Sequence, residues 1–271
     1  MKKPDHQANH RKERNSTITK STDPFIQIKD KTNIPEPRFP GLIPTLNKRG
    51  FMEQDLNAIS RRFVEESNGR REGLSLDIGC AYGIATLAAL QNGSHVLASD
   101  MDQGHLDILI KETPKADLPR LKTKKGTLPE IDFKEEMFTT IHCSRTLHFL
   151  MPNDLKTTLT KMHTWLRPKG KVYFITDTCF SGPWKKFLPE YKKRKAAGEL
   201  FPGLIEDVLL CLPISELPKG MTPYMNCLDP ETLARECRDA GFRILESTFL
   251  GFSHNEDKDA KDHAGVIAIK N

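Results

Sequence analysis

The chain contains no apolar run of roughly eighteen residues, the length a membrane-spanning helix needs, so no segment reads as transmembrane. Paired cysteines are missing as well. The six cysteines, at 80, 143, 179, 211, 227 and 237, form no C-x-x-C clip and suggest no metal cluster. They read as reduced thiols filling a core. The opening residues Met1-Lys2-Lys3-Pro4-Asp5-His6 are basic but lead into no apolar stretch, so no secretory signal is expected, and the expected location is cytoplasmic. Excess charge is scarce once one segment is set apart. Of the net +5, residues 1–31 carry +4, from eight Lys/Arg against four Asp/Glu, and the other 240 residues carry about +1. A body so balanced lacks the field of a polyanion-binding surface.

What is present is a pattern of alternation. Residues 1–31 are polar and aperiodic, and read as a disordered basic tail. Ile34-Pro35-Glu36-Pro37-Arg38-Phe39-Pro40-Gly41 is extended, because proline fixes φ and removes an N–H donor. A helix is expected over 52–67, with Leu56, Ile59 and Phe63 on one face and Asn68-Gly69 as its stop. Strands are expected at 74–78, 95–99, 121–125, 137–143 and 171–176. Helices intervene at 84–92, along Leu106, Leu109 and Ile110, and along Leu155, Leu159, Met162 and Leu166. Such alternation predicts an α/β parallel sheet with helices on both faces. Asp229-Pro230-Glu231 starts a last helix that Gly241 ends, and strand-like segments 242–252 and 264–270 follow. With no helix between them, these two pair antiparallel or sit apart.

The most informative stretch is Leu74-Ser75-Leu76-Asp77-Ile78-Gly79-Cys80-Ala81-Tyr82-Gly83, which runs from a buried strand into a helix. Glycines at such a turn let backbone approach a ligand closely. The spacing is not the G-x-G-x-x-G of a dinucleotide site, which disfavours a nicotinamide oxidoreductase. D-x-G-x-x-x-G resembles the first motif, D-x-G-x-G-x-G, of class I S-adenosylmethionine-dependent methyltransferases. Ala81 stands where that family has its middle glycine, a change tolerated if its φ is negative. Ser99-Asp100-Met101-Asp102, 21 residues after Gly79, ends the second strand.

The resemblance covers roughly residues 50–271. It implies a Rossmann-like three-layer sandwich: a mostly parallel seven-stranded sheet with a C-terminal antiparallel strand and a helical lid inserted after the fifth strand. It divides the chain into the tail 1–31, a segment 32–70 covering the cofactor site, and a methyltransferase domain 71–271 with the lid at 178–228. It implies S-adenosylmethionine as cofactor, leaving S-adenosylhomocysteine. The site residues carried over are Asp77, Gly79, Cys80, Ala81 and Gly83 at the first turn, Asp100 on the ribose and Met101 on the adenine. Thr127 and Leu128 stand where an adenine-binding acid is usual, and Cys143 and Ser144 lie beside the methionine portion. No D/N-P-P-Y/F follows the fourth strand and no Pro-Cys pair occurs, so two nucleic-acid-methylating classes do not fit.

His148 is the candidate general base, as the histidine expected beside the cofactor at the sheet's C-terminal edge; a packing role is the alternative. Arg145, Tyr191 and Tyr224 are candidates for touching the acceptor, Arg145 suiting an acidic one. One of the cations among Arg38, Lys48 and Arg49 is a candidate for the cofactor carboxylate. The connection 178–228 is far longer than the usual loop of roughly two to six residues. It predicts an amphipathic helix along Trp184, Phe187, Leu188 and Tyr191, whose other face carries lysines, and a second apolar helix over Leu204–Leu212. A small-molecule acceptor is the first expectation. Protein or RNA acceptors, supported by Lys192–Lys195 and the tail, are the second. A cofactor-binding protein without catalysis is a third, and neither the acceptor nor the oligomeric state is legible.

Overall fold

The computed structural model describes residues 33–68, 73–217, 219–254, 257 and 259–271. The expected tail and the glycine of the first helix stop lie outside them. The described chain opens with a hairpin, β1 (Leu42–Pro44) against β2 (Phe51–Glu53), and α1 (Ala58–Asn68) follows. The helix starts later than its apolar spacing predicts. Residues 51–53 pair with β1, and the Asn57 side chain accepts the Ser60 N–H at 3.0 Å, which makes it the helix cap.

The remaining elements are β3 (Leu74–Ile78), α2 (Ile84–Gln91), β4 (His95–Asp100), α3 (Gln103–Glu112), β5 (Leu121–Lys125), β6 (Phe138–Ser144), α4 (Pro152–Trp165), β7 (Leu166–Asp177), α5 (Leu188–Ala196), β8 (Leu204–Ile205), β9 (Met225–Asn226), α6 (Pro230–Asp239), β10 (Arg243–Leu250) and β11 (His263–Ile269). Seven strands form one sheet in the order β10-β11-β7-β6-β3-β4-β5. β11 runs antiparallel to both of its neighbours, and β7 through β5 are parallel. The order reverses between β3 and β6. In an open α/β sheet a crevice forms there, outside the carboxyl ends of the strands.

Two apolar layers sandwich the sheet. One gathers Leu155, Leu159, Met162 and Trp165 of α4 with Leu233 and Cys237 of α6 against Ile141 and Phe174. The other gathers Ile59 and Phe63 of α1 with Ala88 and Ala89 of α2 against Val96 and Ile175. Two residues expected on helix faces behave otherwise. Ile110 is exposed while His105 takes a buried place on α3, and Leu166 begins β7 instead of ending α4.

The insertion after β7 has its own small core of Trp184, Phe187, Tyr191, Ile205, Val208 and Met225. The expected helix along Trp184–Tyr191 is a 3-10 stretch, Gly182–Phe187, followed by α5. The second expected helix does not form. Leu204 and Ile205 pair with β9, Asp207 caps a single 3-10 turn, and Leu209 and Leu210 face solvent. Once the backbone of 204–205 bonds across to 225–226, an apolar run there has no helical ladder to join. Among the described residues no helix is long and apolar enough to cross a membrane.

Candidate active site

The crevice at the strand reversal is a cavity of about 1170 Å³. Its walls come from the turn after β3, the ends of β4, β6 and β7, the loop after β5, the β1–β2 hairpin and the lid. That volume exceeds the roughly 300–1,000 Å³ of an ordinary small-ligand pocket, so it has room for two ligands side by side.

At one end the turn after β3 is held by Asp100. Its Oδ2 accepts the Ala81 N–H at 2.9 Å, and its Oδ1 accepts the Asp102 N–H and the His105 Nδ1–H, both at 2.9 Å. A carboxylate has about four lone-pair sites, so one is left for a ligand. His105 is fixed by its other nitrogen, because Nε2 accepts the Leu46 N–H at 2.9 Å. This ties the hairpin to the carboxylate, and the Tyr82 hydroxyl donates to Pro44 O at 2.8 Å as a second tie. Burial pushes the Tyr82 phenol up to about 12, so it stays a donor.

Ala81 has φ +46°, opposite to the negative φ that would make alanine harmless there. The left-handed turn aims its N–H at Asp100, and the methyl group must accept that strain. Gly79, at φ +72°, allows a different approach: a Cβ there would lie 2.1 Å from the Thr146 hydroxyl. Asp77 is spoken for, with Oδ2 accepting from Thr86 and Oδ1 bonded to His142 Nδ1 at 2.8 Å, while His142 Nε2 meets the Ser60 hydroxyl at 2.9 Å.

Of the cofactor-binding candidates, Asp77, Gly79, Cys80, Ala81, Asp100, Met101, Thr127, Leu128 and Ser144 line the cavity. Gly83 and Cys143 do not reach its wall. Gly83 donates to Cys80 O and leads into α2, and Cys143, near the end of β6, is buried in the core. Arg38 and Arg49 both line the cavity and Lys48 does not.

The other end is built from charges. Arg145, at φ +53°, sets Nε 3.0 Å from Asp177 Oδ1. Burial opposes ionisation of Asp177, but the charge of Arg145, with His148 and His263, holds its carboxyl well below the usual range. His263 Nε2 lies 3.4 Å from the same oxygen, and its Nδ1 lies 3.8 Å from Glu53 Oε1. Glu53 Oε2 accepts the Ser253 N–H at 2.7 Å. The guanidinium charge of Arg145 is therefore already matched, so an acidic ligand is not what it lacks.

His148 lines the same end. Its Nδ1 accepts the Asp177 N–H at 3.0 Å, which leaves the ring proton on Nε2. Burial pushes its pKa down to about 4, so the ring is neutral near pH 7. A general base needs a free lone pair; here the Nδ1 lone pair is taken by the Asp177 N–H and Nε2 carries the proton. In this tautomer His148 can offer an N–H to a ligand but no lone pair, which does not suit the base role expected from sequence. It is also not alone, since His105 and His142 line the cavity with it.

Of the other acceptor-side candidates, Tyr224 lines the cavity and Tyr191 does not. The Tyr191 hydroxyl donates to Asp229 Oδ2 at 2.5 Å, and Lys195 meets the same oxygen at 2.6 Å. Asp229 Oδ1 caps α6 through the Thr232 N–H at 2.7 Å. Tyr191 thus ties the lid to the body. Most lysines of α5 remain solvent-exposed. Among the described residues no cluster of His, Cys, Asp or Glu could hold a metal ion.

Residues 76–170 match the family model described as a methyltransferase domain. The chain is similar to a ubiquinone biosynthesis O-methyltransferase of Aromatoleum aromaticum, 25% identical over 205 residues that cover 74% of this chain and 76% of that protein. Its fold is similar to a solved S-adenosylmethionine-dependent methyltransferase from Mesorhizobium loti, with a TM-score of 0.56 at 14% identity over 79% of this chain and 99% of that one. The glycopeptide N-methyltransferase MtfA, solved with S-adenosyl-L-methionine, gives a TM-score of 0.53 at 18% identity, covering 78% and 92%.

Proposed function

We propose that the chain is a class I methyltransferase that transfers a methyl group from S-adenosylmethionine to a hydroxyl of a small molecule, a reading supported by the methyltransferase-domain match over residues 76–170 and by the fold. The observation that carries this is Asp100, a buried carboxylate at the end of β4, fixed by three internal donors and left with one acceptor site on the cavity wall. That suits a ribose hydroxyl. Met101 would pack on the adenine, Thr127 and Leu128 would meet the ring edge, and Arg38 or Arg49 would suit the cofactor's carboxylate, a reading supported by the fact that all five line the cavity. Bound there, the cofactor supplies an electrophilic methyl group on a sulfonium.

The chain's own contribution is position. The β1–β2 hairpin closes one side and the lid over 178–228 the other, excluding water and holding the acceptor in line, which can supply most of the rate of such a displacement. His148 Nε2 donates a hydrogen bond to the acceptor. The near-neutral body supports a small molecule over RNA, and the relative named an O-methyltransferase supports oxygen as the methylated atom.

The test is calorimetric titration with S-adenosylmethionine and with S-adenosylhomocysteine, on wild type and Asp100→Ala. A hydrogen bond to a charged group is worth about 1.5–3 kcal/mol, so the variant should bind roughly ten- to a hundredfold more weakly. Asp100→Asn, which keeps one acceptor oxygen for the loop, controls for collapse of the turn. Equal affinity in both variants would make the ribose assignment wrong.

A further inference from the structure

At the acceptor end two cavity-lining residues each carry a buried atom unpartnered among the described residues, with opposite needs, and His263 Nε2 and Ser253 Oγ behind them are unpartnered as well. Glu53 Oε1 has no hydrogen-bond partner among the described residues, although the side chain is 93% buried. Arg145 Nη1 has none either, although Nε of the same guanidinium is bound to Asp177. Both residues line the cavity, on either side of the pair His263 and Asp177. Leaving such an atom unsatisfied costs about 1–3 kcal/mol, more for a charged group, so two in one wall call for a ligand that meets them. The backbone supports this. Arg145 holds a left-handed φ of +53°, a strained conformation for a long side chain that concentrates at ligand sites.

We infer that Glu53 and Arg145 are the acceptor-binding residues of this enzyme, that they select a neutral hydroxyl, and that Glu53 is its catalytic base. The inference rests on the methyltransferase reading above. A neutral hydroxyl offers one O–H to Glu53 and a lone pair to Arg145 through the same oxygen. An alkylamine is protonated near neutral pH and has no lone pair to give. A carboxylate has no proton for Glu53, and it would enter a wall where Glu53 and Asp177 outnumber Arg145. In the reaction the hydroxyl proton passes to Glu53 Oε1. The acceptor oxygen forms a bond to the methyl carbon, and the methyl–sulfur bond breaks with its electron pair going to sulfur. Positive charge is lost from sulfur and negative charge from Glu53, so the step balances. Arg145 Nη1 stabilises the oxygen as its proton leaves.

The experiment uses the full chain with and without saturating S-adenosylhomocysteine, wild type against Glu53→Gln. Gln can still accept the Ser253 N–H, and thermal melting checks that it folds. Phenol, benzylamine and benzoate are the probes, followed by ligand-observed NMR titration. Wild type should bind phenol at least tenfold more tightly than benzoate or benzylamine. Glu53→Gln should lose most of the phenol preference while binding S-adenosylhomocysteine within threefold of wild type. An unchanged preference in the variant, tighter binding of benzoate than of phenol, or no binding of phenol overturns the assignment. If S-adenosylhomocysteine fails to bind while the Glu53-dependent preference persists, the cofactor reading falls and the Glu53 site stands.

Discussion

The two ends of the cavity are made of different materials. Around Asp100 the carboxylate is held by neutral donors, two backbone N–H groups and an imidazole, and a single acceptor position stays open. Around Asp177 the carboxylate is bonded to a guanidinium, with the imidazoles of His148 and His263 beside it, and orphaned atoms remain on Glu53 and Arg145. The first end is preorganised and needs little from a ligand. The second is electrostatically tight and carries polar atoms without partners among the described residues. A site that must bind one invariant molecule and one selected molecule is well served by that division.

The contrast can be broken most forcefully at Asp177. Asp177→Ala leaves the Arg145 charge buried without its partner, which should cost about 3–5 kcal/mol in a urea melt. Asp177→Ala with Arg145→Met should recover much of that loss. If the single variant is as stable as wild type, the charged end is not a coupled unit.

A smaller effect is expected from pH. The folded pKa of His148, about 4, lies below its unfolded value near 6.5, so the unfolded chain binds the extra proton between them. This contribution to stability is present above about pH 6.5 and declines as pH falls toward 4, by on the order of 3 kcal/mol. Urea midpoints across that window, wild type against His148→Gln, check the sign: the variant should have the flatter profile. The neutral end offers the smallest change. Ala81→Gly relieves a left-handed alanine, worth about 1–2 kcal/mol, against an unfolded-state entropy cost of about 0.4–1 kcal/mol. A net stabilisation between about 0 and 1.6 kcal/mol, with S-adenosylhomocysteine affinity raised or unchanged, should appear in melts and calorimetry.

What could be read from the sequence follows how local each feature is. Strands 74–78 and 121–125 match β3 and β5 residue for residue, and Gly79 and Asp100 announce themselves because a strand, a tight turn and a helix impose short spacings. Glu53, His105 and His142 carry no such signal. Their roles depend on a hairpin docking onto α3 across 59 residues and on β3 lying beside β6 across 65. Tyr191 shows the same limit on a side chain. Helical spacing puts it on an apolar face, as found, but only the folded lid reveals that its hydroxyl meets Asp229. The Leu204–Leu212 run misled because strand pairing with 225–226 outweighed its helical periodicity.

The polar pairs between β3 and β6 also bear on how the chain finds its alignment. Ser75 lies opposite Thr140 and Asp77 opposite His142, and each pair is hydrogen-bonded at 2.8 Å between the two central strands of the sheet. A slip of one residue would turn both pairs toward the wrong face. A slip of two keeps the faces but sets Asp77 against Thr140, strands the His142 ring, and brings Ser75 against Phe138. Each unmatched buried group costs about 1–3 kcal/mol. These four side chains therefore act as a lock with two pins, which closes only when the central strands meet in the register that opens the crevice.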